Sequence, residues 1–425
     1  MLDQYDTVII GAGPSGLMTA IESYQPNRNI LILEKKYKPG LKLRISGKGR
    51  CNITNDANFQ KFISHFGKNG RFLKYAFSEF FNTDLLEYFN NLGVHFKLER
   101  GGRYFPINDD ANEIVNALLN KIDSLGIKIE TNSEVKEIKK NEKYFTLKIN
   151  NSGFKNNDSN KQFAIKTKNV VIATGGKSYP STGSDGNGYK LANRLGHKIT
   201  KILPALVPIE TKGKIAQKLQ ELTLKNVSVE VRCENKKIDE EFGEMIFTDF
   251  GVSGPIILSL SKTIVKLLTK NKNVNLIIDL KPALDHPTVD IRLLREIEQN
   301  SKKIFKSLLK ALLPSSLISV FIELLNIPQD KQLSQINSEE RKRLRMLLKE
   351  FTFEVKDFKM FNKAIITSGG ISTNEIDEQT MESKIVKNLF FVGEIIDIDA
   401  DTGGYNLQAA FSTGWIAGQY LKNNY

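Results

Sequence analysis

Three glycines, Gly11, Gly13 and Gly16, follow the apolar run Val8-Ile-Ile10 at the spacing G-x-G-x-x-G, and Glu34 closes the next apolar run at residues 30–33. Residues of these types at these intervals hold phosphate. Gly11 permits a sharp bend. Gly13, without a Cβ, lets a pyrophosphate approach the backbone, and Gly16 lets a helix pack close to the sheet. Pro14 and Ser15 begin that helix, whose free N–H groups face the anion. Glu34 lies about 20 residues beyond the turn, where a carboxylate accepts from a ribose 2′-OH. A lone glycine turn is weak evidence. The strand before it, the helix after it and the acid in register together predict a dinucleotide site.

A second set stands near the other end. Gly393-Glu394 ends an apolar strand, and Asp401-Thr-Gly-Gly-Tyr-Asn-Leu-Gln-Ala-Ala410 opens a helix running to about residue 420. A carboxylate at Glu394 can accept from ribityl hydroxyls. The glycine pair ending at Gly404 can offer N–H groups to a flavin edge, and a helix N-terminus stabilises the charge that reduced flavin gathers at N1 and the C2 carbonyl. Tyr405, Asn406 and Leu407 follow as expected cofactor contacts, Tyr405 and Asn406 through the backbone. The two chain ends must then meet on one sheet, which predicts FAD rather than NAD as the tightly held cofactor. No second G-x-G-x-x-G is present. NADH or NADPH, where it reduces the flavin, is therefore expected as a transient electron donor.

Between residues 35 and 52 stand seven cations, Lys35, Lys36, Lys38, Lys42, Arg44, Lys48 and Arg50, with Ser46, Gly47, Cys51 and Asn52 among them. Lys35, Lys42, Ser46, Gly47, Arg50 and Asn52 are expected to touch the cofactor. Two phosphates do not require seven cations, so the surplus faces solvent or substrate. Cys51 is the candidate catalytic residue. It would protonate the carbon beside the one that takes hydride, with Arg50 and its neighbours lowering the thiol's pKa. Packing beside the flavin is the alternative reading. Cys233, His65, His95 and His197 read as structural or surface residues. Asp397, Asp399 and Asp401 read as caps and ribityl contacts. Four scattered histidines and two cysteines argue against a metal.

These groups need a frame. Residues 1–35 read β-α-β. Residues 71–93 carry a helical apolar stripe of Phe72, Tyr75, Phe80, Leu85, Leu86 and Phe89, and residues 110–125 a second helix. Strands follow at 127–130, 134–139 (with Val135 a further expected contact), 144–149 and 163–167, with a polar hairpin tip at 150–161. Thr174 and Gly175 lie where the buried strand beginning at Asn169 runs into a glycine turn, and both are expected at the cofactor. From His197 to about Leu284 short β segments dominate. Residues 288–350 are helical by period, broken at Pro314 and Pro328. The organisation expected is α/β: a dinucleotide-binding domain from 1–195 and 360–425, a β-rich insert at 196–285 and a helical insert at 286–359.

Four stretches carry a family resemblance: Ile9-Ile-Gly-Ala-Gly-Pro-Ser-Gly-Leu-Met18, Lys42-Leu-Arg-Ile-Ser-Gly-Lys-Gly-Arg-Cys-Asn-Ile-Thr-Asn55, Ala173-Thr-Gly-Gly-Lys-Ser-Tyr-Pro-Ser-Thr-Gly183, and Thr367-Ser-Gly-Gly-Ile-Ser continued by the 393–394 and 401–410 motifs. In these the chain resembles the NAD(P)/FAD-dependent oxidoreductase family of bacterial flavoproteins, along nearly its whole length. Lys48 departs from the pattern, since many relatives have glycine there. The resemblance implies a Rossmann-like FAD domain of the glutathione-reductase type with β-rich and helical inserts. It also implies one of three activities: aminoacetone oxidation, bile-acid enone reduction, or reduction of uridine to dihydrouridine in ribosomal RNA.

Charge bears on that choice. The 425 residues carry a formal net charge of +13. A polyanion such as ribosomal RNA is the functional reading, and solvated surface lysines are the bland one. Candidate phosphate contacts are Lys302, Lys303, Lys306, Lys310 and Arg341-Lys-Arg-Leu-Arg345. The leading expectation is a flavin-dependent uridine reductase acting on ribosomal RNA. A small-molecule oxidase or enone reductase is the alternative, and a non-enzymatic flavin- or RNA-binding protein the third. No apolar run reaches the roughly 18 residues of a membrane span. Two cysteines make no disulfide framework, and a reducing cytoplasm is the expected setting.

Overall fold

A computed structural model of the chain describes residues 3–152 and 161–424. Most of the expected hairpin tip at 150–161 lies outside them. The described residues divide into two compact units, Met1–Pro204 with Ala364–Tyr425, and Ala205–Lys363.

The first unit is built on β-branched runs that bury both faces. Val8, Ile9 and Ile10 of the opening strand Gln4–Ile10 pair in parallel with Ile30–Leu33 on one side and with Lys161–Ile172 on the other. Val8 and Ile9 are fully buried and Ile10 nearly so, as suits a sheet covered on both sides. The sheet order is Lys128–Glu130, Ile30–Leu33, Gln4–Ile10, Lys161–Ile172, Phe145–Asn151, Ser133–Lys140. The segments expected as separate strands at 163–167 and from Asn169 are one 12-residue strand. Its first half pairs antiparallel with Phe145–Asn151, and its second half pairs in parallel with the opening strand and with Leu389–Phe391. The closing segment of the chain thereby joins the sheet of its beginning.

Two helices lock that joint. The opening helix Pro14–Glu22 lies against the closing helix Tyr405–Asn424. Thr19 Oγ1 donates to Gly414 O at 3.0 Å, and a Cβ at Gly414 would fall 2.5 Å from Ser15 O. Glu22 sits on the same seam, accepting from Gln419 Nε2 at 2.7 Å. Burial raises its pKa, while the Gln419 hydrogen bond opposes the rise. A carboxyl whose folded pKa lies above its unfolded value adds stability in acid and loses that contribution as pH rises through the folded pKa. Glu22→Gln is therefore expected to raise the melting temperature at pH 8, with the gain disappearing as pH falls to about 4.5. Thermal scans across that range check it.

The stripe at 71–93 is not one helix. A 3-10 stretch, Gly67–Leu73, precedes helices Lys74–Glu79 and Asn82–Asn91. Phe80 is extended between them, and Asp84 Oδ2 accepts from Phe81 N at 2.7 Å to start a new helix. A local cap overrides an apolar period that continues across it.

The second unit holds a closed six-stranded barrel in the order Ile209–Thr211, Gly251–Ser253, Lys236–Phe247, Thr223–Cys233, Val274–Asp279, Phe351–Phe358. Helices Pro255–Leu268, His286–Gln299, Phe305–Leu312, Ser315–Leu325 and Ser338–Lys349 share one apolar core with it. Among the described residues no helix is long and apolar enough to cross a membrane.

Candidate cofactor and active site

The glycine turn meets the steric demands of its sequence. Gly11 has φ +108°, and a Cβ there would lie 2.5 Å from Ala173 O. A Cβ at Gly16 would run into Gly11 O. Gly13 differs from both: nothing among the described residues lies within 4 Å of the Cβ it lacks. Gly13 is also the N-cap of Pro14–Glu22, and neither a side-chain cap nor an acid in the first turn covers the helix N-terminus. Open space over Gly13 beside uncapped N–H groups is the shape a pyrophosphate fills.

Glu34 braces this turn from the end of its strand. Ala12 N donates to Oε2 at 2.9 Å and Lys36 N to Oε1 at 2.8 Å. The side chain is 9% exposed, and burial raises its pKa against the pull of those two donors. The elements from the far end close on the same place. A Cβ at Gly393 would fall 2.5 Å from Ser15 Oγ.

Lys42 Nζ lies 2.6 Å from both Glu394 Oε2 and Ser178 Oγ. Glu394 Oε1 accepts from Thr367 N at 2.8 Å and from Ser178 Oγ at 3.1 Å. A Cβ at Gly175 would stand 3.8 Å from Glu394 Oε2. Lys42, Gly175 and Glu394 thus form one cluster, and Ser178 and Thr367, which spacing alone did not single out, complete it. Val135 is buried, and its carbonyl accepts from Asn187 Nδ2 at 3.0 Å. Asn406 holds the turn before the closing helix, accepting from Ala400 N at 2.9 Å and donating to Ala400 O at 3.0 Å. Tyr405 is 5% exposed and folds over Gly403, and Leu407 is half-buried.

The cationic loop answers largely to the protein itself. Lys35 pairs with Asp185 at 2.6 Å, and Arg44 bonds Asn112 and Asn116. Arg50 pairs with Glu99 and with Asp109, and its guanidinium lies 4.1 Å from the centre of the Phe105 ring. Ser46 Oγ donates to Leu43 O at 2.7 Å. Gly47 (φ +56°) and Lys48 (φ +60°) are both left-handed, a conformation that favours glycine over lysine at position 48. Cys51 is fully buried. The expected lowering of its pKa by Arg50 does not occur, because Arg50 is engaged elsewhere and burial pushes the thiol up to about 12. The native protein is accordingly expected to leave Cys51 unmodified by iodoacetamide at pH 8 and to react only once unfolded, which peptide mass spectrometry measures.

Asn55 is the residue most clearly missed. Its Nδ2 donates to Gly101 O and to Gly403 O, both at 3.0 Å, and its Oδ1 accepts from Ala57 N at 3.0 Å. It joins the loop after Cys51 to the turn before the closing helix. Its place at the end of the 42–55 motif was the available signal. His65, expected as a structural or surface residue, also reaches this turn: Nδ1 lies 2.9 Å from Asp401 Oδ2, and the ring stacks on Tyr405 with centroids 4.0 Å apart. In the second unit, Arg341 and Arg345 reach Asp290 at 3.2 and 3.6 Å. Lys306 bonds Gln329, while Lys302, Lys303 and Lys310 have no ion-pair partner among the described residues.

The residues present fit FAD. Gly13 leaves a cradle that a Cβ would fill, and the expected contacts Asn52 and Thr174 carry buried oxygens, Oδ1 and Oγ1, without a protein hydrogen-bond partner. The fold and this cradle define a flavoprotein oxidoreductase of the Rossmann type, with a barrel-containing region inserted between its two chain segments. The chain belongs to the HI0933-like protein Rossmann domain family, whose profile matches residues 5–420. It is 29% identical over 413 residues to the 3-dehydro-bile acid delta(4,6)-reductase of Clostridium scindens, covering 97% of each chain. It is 29% identical over 422 residues to the ribosomal RNA dihydrouridine synthase of Escherichia coli K12, covering 99% of this chain and 98% of that one. In fold it resembles 3-ketosteroid delta1-dehydrogenase from Sterolibacterium denitrificans, with TM-score 0.55, 11% identity and full coverage of both chains.

Proposed function

We propose that this chain is an FAD-dependent reductase that saturates a carbon–carbon double bond conjugated to a carbonyl, with a uridine of ribosomal RNA as its substrate. The observation that carries the reading is the pyrophosphate cradle, an open Gly13 under an uncapped helix, joined on one sheet to the glycine turn of the closing helix. The antiparallel meander feeding the central strand supports a glutathione-reductase-type arrangement of the FAD domain. The names of both relatives describe saturation of such a double bond, one in a bile acid and the other in RNA. The net charge of +13 favours the polyanion. A small-molecule enone of steroid type is the second reading, favoured by the bile-acid relative.

Bound FAD supplies hydride for the double bond, with NADH or NADPH as the transient reductant. The protein's own residues have separate tasks. Gly11, Gly13, Gly16 and the helix they open hold the pyrophosphate, and Glu34 is placed for the ribose. Lys42, Ser178 and Glu394 set the polar wall proposed for the ribityl chain. Cys51, fully buried, is proposed to pack beside the flavin rather than to donate a proton, and Cys51→Ala is expected to keep full flavin and near-wild-type turnover. The two unpaired cysteines suit the proposed cytoplasmic setting.

Incubating the flavin-loaded protein with ribosomal RNA and NADH or NADPH, followed by nucleoside mass spectrometry, tests the substrate. New dihydrouridine is the expected result. RNA left unchanged while a steroid enone is reduced selects the second reading.

A further inference from the structure

Arg103 lies half-buried on the strand Arg103–Pro106, and among the described residues its guanidinium has no ion-pair or hydrogen-bond partner. It contrasts with Arg44 and Arg50, which are engaged by neighbouring side chains. A half-buried cation without a carboxylate is available to an anion or a carbonyl arriving from outside.

Its position says where that group would come from. Arg103 stands directly opposite Asn55 in the antiparallel ladder, and residues so paired share a face of the sheet. On that face the Asn55 amide reaches Gly403 O, so the Arg103 stem rises on the side of the Gly403–Gly404 turn. A Cβ at Gly404 would run into Thr54 O, so this turn lies hard against the neighbouring strand. The phenol of Tyr405, first residue of the closing helix, registers the charge. Burial and then Asp401 raise its pKa, and Arg103 opposes them. Against the Tyr405 ring stacks His65, held by Asp401 through Nδ1, with a buried Nε2 that has no partner.

We propose that Arg103 binds the carbonyl oxygen of the substrate and stabilises the enolate formed as the double bond is reduced. This rests on the reading of the chain as a reductase of conjugated carbonyls. In that reaction hydride forms a C–H bond at the β-carbon, and the π electrons of the C=C bond move onto the carbonyl oxygen. The α-carbon then takes a proton from water, which regenerates the carbonyl. The double bond is reduced, the flavin oxidised, and the negative charge is transient and centred on one oxygen. A guanidinium beside the helix N-terminus meets that charge with N–H donors already in place. For uridine the oxygen is the base carbonyl conjugated to its C=C bond, and for a steroid it is the ring ketone.

The test uses the flavin-loaded protein and 4-chlorophenolate, an unreactive enolate mimic, followed by the long-wavelength absorbance a phenolate gives against an oxidised flavin. Arg103→Gln is expected to weaken phenolate binding at least roughly ten-fold and to lower kcat roughly 100-fold. Flavin content and flavin reduction by NADH or NADPH stay at wild-type values, and Arg103→Lys recovers part of both losses. Wild-type phenolate binding by a folded, yellow Arg103→Gln protein overturns the proposal. Reduction of a conjugated substrate by both proteins at equal rates also overturns it, and leaves the reductase reading standing. Phenolate binding that depends on Arg103 in a protein that reduces neither uridine nor an enone overturns the reductase reading and the enolate role with it.

Discussion

Gly11→Ala is expected to give a poorly folded, colourless protein, whereas Gly13→Ala is expected to fold normally and still lose its flavin. Both replacements add one methyl group within the same turn, and only the direction of that methyl separates them. At Gly11 it lands 2.5 Å from Ala173 O and 2.9 Å from Ala173 C, which are backbone atoms just past the end of the central strand and cannot swing aside. The φ of +108° adds strain for any L side chain. Together these cost about 3 kcal/mol or more, a large part of the stability of an ordinary domain. At Gly13 the backbone is extended, with φ −87° and ψ −176°, and the new methyl meets no protein atom within 4 Å. The melting temperature of the flavin-free Gly13→Ala protein is expected to match wild type, while FAD affinity falls by at least roughly ten-fold, the equivalent of about 1.4 kcal/mol. Thermal scans and FAD titration followed by flavin fluorescence check both halves. Equal FAD affinity in Gly13→Ala would place the pyrophosphate elsewhere.

The second large effect is expected at Asn55. Its side chain makes three hydrogen bonds, to Gly101 O, Gly403 O and Ala57 N, and it is 3% exposed. Asn55→Ala removes all three at once and leaves backbone groups of three separate segments without that partner. At about 1 kcal/mol per net bond, and more where a buried group stays unsatisfied, the loss is about 3 kcal/mol. The Gly403–Gly404 turn also loses a tether to the loop carrying Cys51. Chemical denaturation should show the lower midpoint. Flavin fluorescence of the folded fraction should show weaker cofactor binding as well, because the turn itself is a proposed flavin contact. Asn55→Asp is expected to be at least as destabilising as Asn55→Ala, since its buried carboxylate would face Gly101 O and Gly403 O with no proton to donate.

Much of the cradle was legible in the linear chain because its requirements are local. A positive φ at Gly11, a bare methylene at Gly13 and a carboxylate at the end of the next strand are short-range demands, and residue type at fixed spacing reports them directly. The apolar runs at both ends likewise announced strands buried on two faces. The stripe at 71–93 misled because periodicity is blind to a cap: Asp84 restarts the helix at Asn82 without disturbing the apolar pattern. The loop at 35–52 was legible only in part. Counting cations shows how much charge is present and nothing of where it goes. Arg50 finds Asp109, Lys35 finds Asp185 and Lys42 finds Glu394, leaving far less of that charge for a ligand than composition suggested.

The amino-acid order by itself determined that this protein carries a dinucleotide cradle assembled from its first and last segments, because backbone conformation and strand burial are written in neighbouring residues. Tertiary structure alone decided the electrostatics of the site. Lys42 meets a carboxylate 352 residues away, Cys51 is sealed from water so that its thiol rises to about 12, and Arg103 stands without a counter-charge among the described residues. Desolvation and ion pairing depend on which distant groups approach within a few ångströms, and the spacing of residues along a chain does not encode that approach.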